Sequence, residues 1–328
     1  MAAVTTRKRA APEGALFPEA AGKKRARFQF GSIYNYEKLE VLGSGSYGTV
    51  VKARDLRTGE TVAVKWIRRG GDGATDLRAV HREASCLAAC GGHPSVVQIR
   101  DVAADEATGD VFIVMEFVGS SLHRLVARAR PSGFSEAQAR GCMRQLLRGA
   151  ERMHGAGVVH RDIKPDNILV GEDGAFKICD LGMAAPVNPV GVPYEEDRVC
   201  TLWYRAPELV MGVRAYGTAV DVWSLGCVMA ELLAGVPLFE GAEDEDDMFA
   251  RVMELRIEMV AAECRAFEGL PGLSEAGREL LCGLLSFEPD QRLTAAEALD
   301  HQWFEEEDEP VSSFLLSPKQ PNGFINFF

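Results

Sequence analysis

The sequence has no apolar stretch long enough to cross a membrane. Its apolar runs, of which Val111 to Met115 is an example, end well before the roughly 18 to 20 residues that a membrane-spanning helix needs. The N-terminus is too polar for a secretory signal peptide. We therefore expect a soluble intracellular protein without membrane contact. The length of 328 residues, with 47% hydrophobic and 26% charged side chains, suits about two domains with sizeable cores.

Paired cysteines are also absent. The eight cysteines are scattered without paired spacing, which in a chain of this size predicts reduced thiols and no disulfide framework. The closest group, Cys86, Cys90 and His93, is a candidate metal site. Both cysteines lie in or beside an apolar helical stretch, however, so small buried thiols are the favoured interpretation.

Basic side chains are scarce outside the N-terminal segment. Residues 1–30 hold seven basic and two acidic side chains, whereas the remainder holds 29 basic and 46 acidic ones, a net charge of −17 compared with −12 for the whole chain. This balance argues against direct nucleic-acid binding by the folded part. The basic clusters Arg7–Arg9 and Lys23–Arg25 with Arg27 resemble a bipartite nuclear-import signal. We therefore expect the protein in the nucleus, the cytoplasm or both, and the clusters favour the nucleus. A solvated tail is the alternative.

The chain from Tyr36 to about residue 118 has the pattern of a small β-sheet. Apolar and polar residues alternate between turn signals, and Arg57 to Glu60 has the composition of a hairpin turn. Helical spacing occurs once, from Leu77 to Ala89. The pattern predicts five strands and one helix, with the last two strands at Val96 to Val102 and Val111 to Phe117.

After Gly119 the spacing of apolar residues becomes that of long helices. Capping-box pairs mark two helix starts, Ser135 with Gln138 and Thr294 with Glu297. The segment from Val222 to Leu233 is mostly apolar on all sides, which predicts a helix buried in a larger core. The second part of the chain is therefore expected to be mainly helical.

A glycine-rich segment, Gly43 to Val50, joins two predicted strands. Its glycines would let backbone amides lie close over phosphate oxygens. A dinucleotide-binding fingerprint needs a helix at the last glycine, whereas Thr49 to Val51 continues as a strand, so that interpretation is less favoured. Further along, Lys65 lies on a strand where its charge needs a partner, and Glu83 on the following helix can supply one.

Two motifs that contain aspartate supply the candidate catalytic residues. The segment His160 to Asn167 is followed, after an apolar strand-like stretch, by Asp180 to Gly182. Phosphoryl transfer needs a carboxylate to accept the hydroxyl proton, an amide and a second carboxylate to hold magnesium, and cations to neutralise the phosphates. The two motifs, together with Lys65, supply residues of those types.

In these motifs the chain resembles the eukaryotic protein kinases, and the match runs in order through residues 36–304. The resemblance implies an α+β, bilobal protein kinase fold: a small lobe (36–118) with a five-stranded antiparallel sheet plus one helix, and a larger, mainly helical lobe (119–304). Residues 1–30 would be a disordered basic tail and residues 305–328 an acidic and aromatic C-terminal tail. ATP and Mg²⁺ are the implied cofactors, and a protein is the implied substrate.

The resemblance implies one role for each matched position. Lys65, held by Glu83, would bind the α and β phosphates. Asp162 would be the catalytic base, and Lys164 would contact the γ phosphate, as in the serine/threonine-specific branch. The positions implied to hold Mg²⁺ are Asn167 and Asp180. The positions implied to surround the nucleotide, in the glycine-rich loop and the adenine pocket, are Leu42, Gly43, Ser44, Gly45, Ser46, Tyr47, Gly48, Val50, Ala63, Met115, Glu116, Phe117, Val118 and Leu169.

The segment Thr201 to Glu208 resembles the one found in cyclin-dependent kinases and their proline-directed relatives. Within that group the chain is most similar to the F-type cyclin-dependent kinases of plants. This implies a proline directly after the phosphorylated residue and a role in cell-cycle or transcription control. It also implies that Glu208 pairs with Arg292 and that Asp221 caps the catalytic loop.

The activation segment departs from the family pattern. Glu196 occupies the position of the activating phosphothreonine, and a carboxylate mimics a phosphate only in part. Arg82 and Arg161 are available to clasp it, but the third expected arginine is Ala185. We expect activation without a phosphate on this segment. His81 stands where the family buries an apolar residue in its cyclin, so a cyclin is a less favoured partner than the protein substrate.

Two alternatives stay open. Ser46 and Tyr47 occupy loop positions at which cyclin-dependent kinases carry inhibitory phosphates, and ordinary phosphate-loop residues are an interpretation of equal weight. A pseudokinase scaffold that acts through partner binding is the alternative function. Loss of Lys65, Asp162 or Asp180 would favour it, and all three are present.

Overall fold

The computed structural model has a small sheet followed by a larger helical part. It describes residues 30–45, 48–70, 73–130, 132–261, 267, 269–270 and 272–306. The predictions for residues 1–29, for Ser46 and Tyr47, and for residues 307–328 lie outside these ranges.

Among the described residues, six strands and one α-helix form the small lobe. They are β1 (Gly31–Ser32), β2 (Tyr36–Gly45), β3 (Gly48–Asp55), β4 (Thr61–Ile67), α1 (Leu77–Ala89), β5 (Ile99–Ala104) and β6 (Val111–Glu116). The sheet order is β1-β5-β6-β4-β3-β2, and neighbours are antiparallel except for the parallel pair β1 and β5. The five predicted antiparallel strands are present. β1 is an additional edge strand, too short for alternation to indicate.

The strand predicted to begin at Val96 begins at Ile99 instead. Val96 forms an isolated parallel bridge with Ile178, and the Val97 N–H donates to the Ile178 carbonyl at 3.0 Å. These residues therefore pair with the large lobe and not with the sheet. The apolar residues Val96 and Val97 do form backbone pairs, but their partner is Ile178, which only the tertiary structure identifies.

The large lobe is mainly helical and carries two small sheets, with strand orders β10-β9-β7 and β11-β8. Its strands are β7 (Gly119–Ser121), β8 (Val158–Val159), β9 (Ile168–Gly171), β10 (Phe176–Ile178) and β11 (Ala185–Pro186). Its α-helices are α2 (Leu122–Ala129), α3 (Glu136–Gly155), α4 (Pro207–Val210), α5 (Ala219–Ala234), α6 (Glu245–Ala261), α7 (Glu275–Leu284) and α8 (Ala295–Leu299). Short 3₁₀ turns lie at Ile33–Asn35, Pro165–Asn167, Leu181–Met183, Leu202–Tyr204 and Gln302–Glu305. Within the described part of the chain, no helix is long and apolar enough to cross a membrane.

Helix α5 forms the centre of the large lobe. Every residue from Val220 to Leu233 is buried, as its mostly apolar pattern predicts. Gly226 allows close packing there, because a Cβ at this position would lie only 2.7 Å from the Leu285 side chain. Both predicted capping boxes are formed, at the starts of α3 and α8.

A buried ion pair joins α4 to the segment before α8. The Arg292 guanidinium donates to both carboxylate oxygens of Glu208, at 2.8 and 3.0 Å, and both side chains are almost fully buried. The same guanidinium donates to the carbonyls of Ala219 and Ser286 and lies over the Trp223 ring. The pair predicted from the sequence is therefore part of the core.

We predict that Arg292→Met destabilises the protein by about 3 to 5 kcal/mol, because it leaves a buried carboxylate unpaired. Arg256→Met is the matched control. Arg256 forms a similar pair with Glu288 at 2.9 Å, but both side chains are more than two-fifths exposed, so its loss costs at most about 1 kcal/mol. Urea unfolding measures both free energies, and equal losses would contradict the prediction.

Candidate active site

The glycine-rich segment lies at the end of the β2–β3 pair. β2 and β3 pair through this segment, with Gly45 opposite Gly48, and the Ser44 and Thr49 hydroxyls lie 3.1 Å apart. Gly48 has a φ of +143°, and a Cβ there would lie 1.9 Å from the Trp66 carbonyl oxygen. Only glycine fits this close approach of two backbones.

The face of the sheet that carries Lys65 also carries residues predicted for the adenine pocket. Val50 lies opposite Lys65 in the β3–β4 register, and Ala63 lies opposite Met115 in the β4–β6 register. Because residues two apart on a strand share a face, Ala63 and Lys65 lie on the same side of β4. Ala63 and Met115 are buried, whereas Leu42 is partly exposed at the rim.

Three further residues predicted for the adenine pocket, Glu116 to Val118, lie at the end of β6 and directly after it. The Glu116 side chain accepts hydrogen bonds from Lys177 at 2.9 Å and from the Gln98 backbone at 3.0 Å. Phe117 and Val118 belong to no strand, so sheet pairing does not use their backbone groups. Leu169, on β9, is partly buried beside the core, as is Val118. The Lys52 ammonium lies 4.7 Å from the Phe117 ring centroid.

Lys65 is the centre of a buried charge cluster. Its ammonium donates to both carboxylate oxygens of Glu83, at 2.7 and 2.9 Å, and to Asp180 Oδ1 at 2.7 Å. Burial by itself would lower the pKa of Lys65, but the two carboxylates raise it above its ordinary value. Burial would likewise raise the pKa of Asp180, and the Lys65 ammonium holds it below its ordinary value. The cluster therefore keeps Lys65 and Asp180 ionised.

Asp162 is the centre of a second cluster. Its Oδ2 accepts a hydrogen bond from the Asn167 amide at 3.0 Å and lies 3.2 Å from the Lys164 ammonium. Its Oδ1 accepts from the backbone and the hydroxyl of Thr201, at 2.9 and 2.8 Å. Lys164 also donates to the Thr201 hydroxyl at 2.7 Å. Thr201 begins a motif of the family, but its own contact with Asp162 was not predicted from the sequence.

Backbone contacts join the two clusters. The N–H of Cys179, the residue before Asp180, donates to the Asn167 carbonyl at 2.9 Å, and His160 Nε2 lies 2.9 Å from the Cys179 carbonyl oxygen. The structure therefore brings together all six side chains that were predicted for catalysis and metal binding: Lys65, Glu83, Asp162, Lys164, Asn167 and Asp180.

Asp221 holds the catalytic loop in a strained conformation. Its carboxylate accepts hydrogen bonds from the backbone N–H groups of His160 and Arg161, at 2.8 and 2.9 Å, and lies 3.0 Å from His154 Nε2. Arg161 has a φ of +68°, which non-glycine residues rarely adopt. Asp221 thus stabilises the turn that leads into Asp162, as the resemblance implied.

Glu196 is bound by two arginines from different parts of the chain. Arg82 on α1 donates to it at 3.0 Å, and the buried Arg161 donates at 3.1 and 3.4 Å. Arg82 also donates to the Gly182 carbonyl at 3.2 Å. The Tyr194 ring, which no sequence signal indicated, lies 5.0 Å from the Arg161 guanidinium. The predicted two-arginine clasp is present, and Glu196 keeps over a third of its side chain exposed.

Cys200 is a second residue that the sequence analysis missed. It has a φ of +67°, and both the Nε and the Nη2 groups of Arg205 donate to its carbonyl, at 3.3 and 2.9 Å. It directly precedes Thr201, which touches Asp162. Since a left-handed conformation of a non-glycine residue has no composition signal, only the tertiary structure identifies this feature.

The side chains fit Mg²⁺ bound together with a nucleotide. In the described part of the chain, no group of three or more His, Cys, Asp or Glu side chains forms a metal centre. Mg²⁺ usually takes one or two carboxylates plus substrate phosphates and water, so Asp180 and the Asn167 amide oxygen suffice. The cysteines at 86 and 90 are buried, which raises the pKa of Cys86 to about 12 and that of Cys90 to about 11, as expected of protonated core thiols.

Comparison with known proteins identifies the family. The sequence model of the family described as "Protein kinase domain" matches residues 36–304. The chain belongs to the protein kinases. Three relatives show to which branch of the protein kinases the chain is similar. The chain is 46% identical over 303 residues to "Putative cyclin-dependent kinase F-2" of Oryza sativa subsp. japonica. The alignment covers 84% of this chain and 91% of that protein.

The other two relatives are longer than this kinase. Cyclin-dependent kinase G-2 of Oryza sativa subsp. indica is 35% identical over 315 residues, 87% of this chain and 43% of its own length. Cyclin-dependent kinase G1 of Arabidopsis thaliana is 34% identical over 335 residues, 92% of this chain and 54% of its own length. The predicted fold and the assignment to cyclin-dependent-kinase-like serine/threonine protein kinases are thereby confirmed. Protein kinases of this family generally use ATP and Mg²⁺ and act on protein substrates, often with cyclins.

We predict that Asp221→Asn lowers the kcat of the kinase by about 100-fold, because an amide cannot accept both loop N–H groups and Asp162 shifts by a fraction of an ångström. Nucleotide affinity should change little, since Lys65 and Asp180 are not touched. Steady-state kinetics and binding of a fluorescent nucleotide separate the two effects.

Asp173→Asn is the matched control for this substitution. Asp173 accepts a single backbone hydrogen bond, from Ala175 at 3.1 Å, in an exposed turn. The Asp173→Asn substitution should leave kcat unchanged. A comparable loss of kcat in both variants would show that Asp221 has no specific effect on the catalytic loop.

Proposed function

We propose that this kinase transfers the γ-phosphate of Mg·ATP to serine or threonine residues that are followed by proline. The observation that carries the proposal is the convergence of the Lys65 and Asp162 clusters, which lie nearly 100 residues apart in sequence. Bound Mg·ATP would supply the transferable phosphoryl group and a cation that neutralises the charge developing on it. A pseudokinase has no need for this complete set of hydrogen-bonded side chains.

Each of the converging residues would have one role. Lys65, held by Glu83, would bind the α and β phosphates. Asp162 would accept the proton of the substrate hydroxyl, since Asn167 and Thr201 orient its carboxylate. Lys164 would neutralise charge on the γ phosphate. The oxygens assigned to the metal are those of Asn167 and Asp180.

The preference for proline is supported by the backbone at Cys200. We infer that a free carbonyl at this position, next to the contact between Thr201 and Asp162, would accept the N–H of the substrate residue after the phosphorylated one. Here the Cys200 carbonyl already accepts two hydrogen bonds from Arg205. A substrate N–H would therefore lose its partner, whereas proline has no N–H to satisfy.

The proposal is tested with the purified full-length chain, Mg·ATP, and Ser-Pro and Ser-Ala peptides, with and without an added cyclin. We expect Ser-Pro to be preferred by about tenfold or more in kcat/KM, because an unsatisfied N–H costs about 1 to 3 kcal/mol. Arg205→Met should reduce this preference, since it frees the Cys200 carbonyl. Equal rates on the two peptides would refute proline direction, and activity unchanged in Asp162→Asn would reveal a contaminating kinase.

Activation without a phosphate on the activation segment is supported by the Glu196 clasp. Its carboxylate links helix α1, through Arg82, to the catalytic loop, through Arg161. Burial would raise the pKa of Glu196, but the hydrogen bonds and charge of Arg161, with Arg82, hold it below its ordinary value. The contribution of the clasp is therefore complete above the ordinary carboxyl pKa of about 4.3, and it is lost only as the pH falls through the lower pKa of the folded state.

We predict that Glu196→Ala lowers the kcat of phosphatase-treated protein by at least about threefold to tenfold, because the ion pair of the partly exposed Glu196 contributes roughly 1 kcal/mol and the buried Arg161 also loses its carboxylate partner. The ratio of wild-type to variant kcat should stay constant between about pH 6 and 8, whereas a clasped phosphate changes its charge near pH 6. Asp197→Ala is the control, because Asp197 lies next to Glu196 but forms its ion pair with Arg214 at the surface. An equally active Glu196→Ala protein would refute this mode of activation.

The partner and the cellular location stay predictions. His81 is exposed on α1, which is consistent with a helix face that does not bury an apolar residue in a cyclin. Nuclear import through the two basic clusters would be tested by neutralising Arg7, Lys8 and Arg9 in a fluorescent fusion and measuring its nuclear fraction. A role in cell-cycle or transcription control would be tested by identifying the proteins that this kinase phosphorylates in cells.

A further inference from the structure

The loop before helix α1 is closed on itself. Arg69 forms an isolated antiparallel bridge with Thr75, and the Gly70 N–H donates to the Ala74 carbonyl at 2.7 Å. The two ends of the loop therefore lie side by side. Asp76 follows directly and caps the helix, because its carboxylate accepts from the backbone N–H groups at positions 78 and 79.

The side chain of Arg69 binds this loop to the turn between β5 and β6. Its Nε donates to Asp110 Oδ1 at 2.8 Å, and its Nη2 donates to Oδ2 at 3.1 Å and to the Thr108 carbonyl at 3.0 Å. The Thr75 hydroxyl donates to the Gly109 carbonyl at 3.4 Å. The hydrogen bonds of Arg69 lower the pKa of Asp110 to about 2. Two parallel hydrogen bonds between one guanidinium and one carboxylate restrict the relative orientation of the two side chains as well as their distance.

The rest of α1 is held at other points. Its C-terminal half is buried through Cys86 and Leu87, and its middle is bound through Arg82 and Glu83. Its N-terminal end exposes Leu77, and His81 is exposed one turn later. Glu83 lies six residues, about 9 Å of helix, from Leu77, so a tilt of this end moves the Glu83 carboxylate relative to Lys65.

We propose that Arg69 and Asp110 are positioning residues for phosphate transfer. Their ion pair holds the N-terminal end of α1 on the β5–β6 turn and so keeps Glu83 on Lys65 without a partner protein on the exposed face of the helix. This inference goes beyond the proposed function but rests on the role proposed there for Lys65 and Glu83, and not on the preference for proline.

The same lobe contains a matched control. Arg57 and Asp55 form an equivalent ion pair, with Nε to Oδ1 at 3.0 Å and Nη2 to Oδ2 at 2.8 Å. It lies at the β3–β4 turn, where Arg57 also contacts Tyr36 and Asp101. None of these residues belongs to α1 or to the loop before it.

The test uses the full chain without added partner, with Arg69→Ala and Arg57→Ala each in the wild-type and the Glu83→Gln background. In the wild-type background, we expect Arg69→Ala to lower kcat about threefold to tenfold. In the Glu83→Gln background it should have no further effect, because the pair acts through Glu83. Arg57→Ala should lower the melting temperature without changing kcat in either background.

Hydrogen exchange of the α1 amides is a readout independent of activity. Exchange should accelerate in Arg69→Ala and match the wild type in Arg57→Ala. The proposal is overturned if the α1 amides of Arg69→Ala stay fully protected, or if its loss of kcat is the same in the Glu83→Gln background. If Arg69→Ala does not fold, Asp110→Asn, which keeps the size of the side chain and removes its charge, is measured in the same way. Because exchange needs no substrate, failure of the proposed substrate preference would leave this result unaffected.

Discussion

The architecture of this kinase depends on one buried positive charge. The Lys65 side chain is only 5% exposed, and a buried ammonium without partners would cost several kcal/mol. The small sheet cannot satisfy it alone, so its two carboxylate partners come from α1 and from the segment after β10. A single charge therefore requires three separate elements to meet, and the cleft between the lobes is the place where they do so.

A second buried charge follows the same rule. The Arg161 side chain is inaccessible to solvent, and its hydrogen bonds go to the Met183 carbonyl and to Glu196, with the Tyr194 ring against its guanidinium. Arg82 reaches the same Glu196 from α1, one residue before the Glu83 that binds Lys65. Neighbouring residues of one helix thus contact both charge centres. The position of α1 therefore affects the nucleotide side and the activation segment together.

Strained backbone concentrates around these centres. Arg161, Asp180 and Cys200 all have positive φ values, although none is glycine. Each such conformation costs about 1 to 3 kcal/mol and persists only where other contacts outweigh it. The Asp221 carboxylate offsets it at Arg161, and the Arg205 guanidinium binds the carbonyl at Cys200. The conformations of Arg161 and Cys200 place the residues that follow them, Asp162 and Thr201, in contact with each other.

The sequence by itself determined the kinase family, the two-lobe fold and the residue types of the site, because these follow from short segments whose spacing and chemistry are local. Strand alternation, the capping boxes of α3 and α8 and the motif around Asp162 are examples. Only the tertiary structure decided that β5 begins at Ile99, that Thr201 binds Asp162, that the Cys200 carbonyl is occupied and that Arg69 holds the start of α1. Each of these depends on contacts between residues far apart in the chain or on a backbone conformation without a composition signal. Local patterns report which side chains are available, whereas buried charge and hydrogen bonding across the fold decide which of them meet.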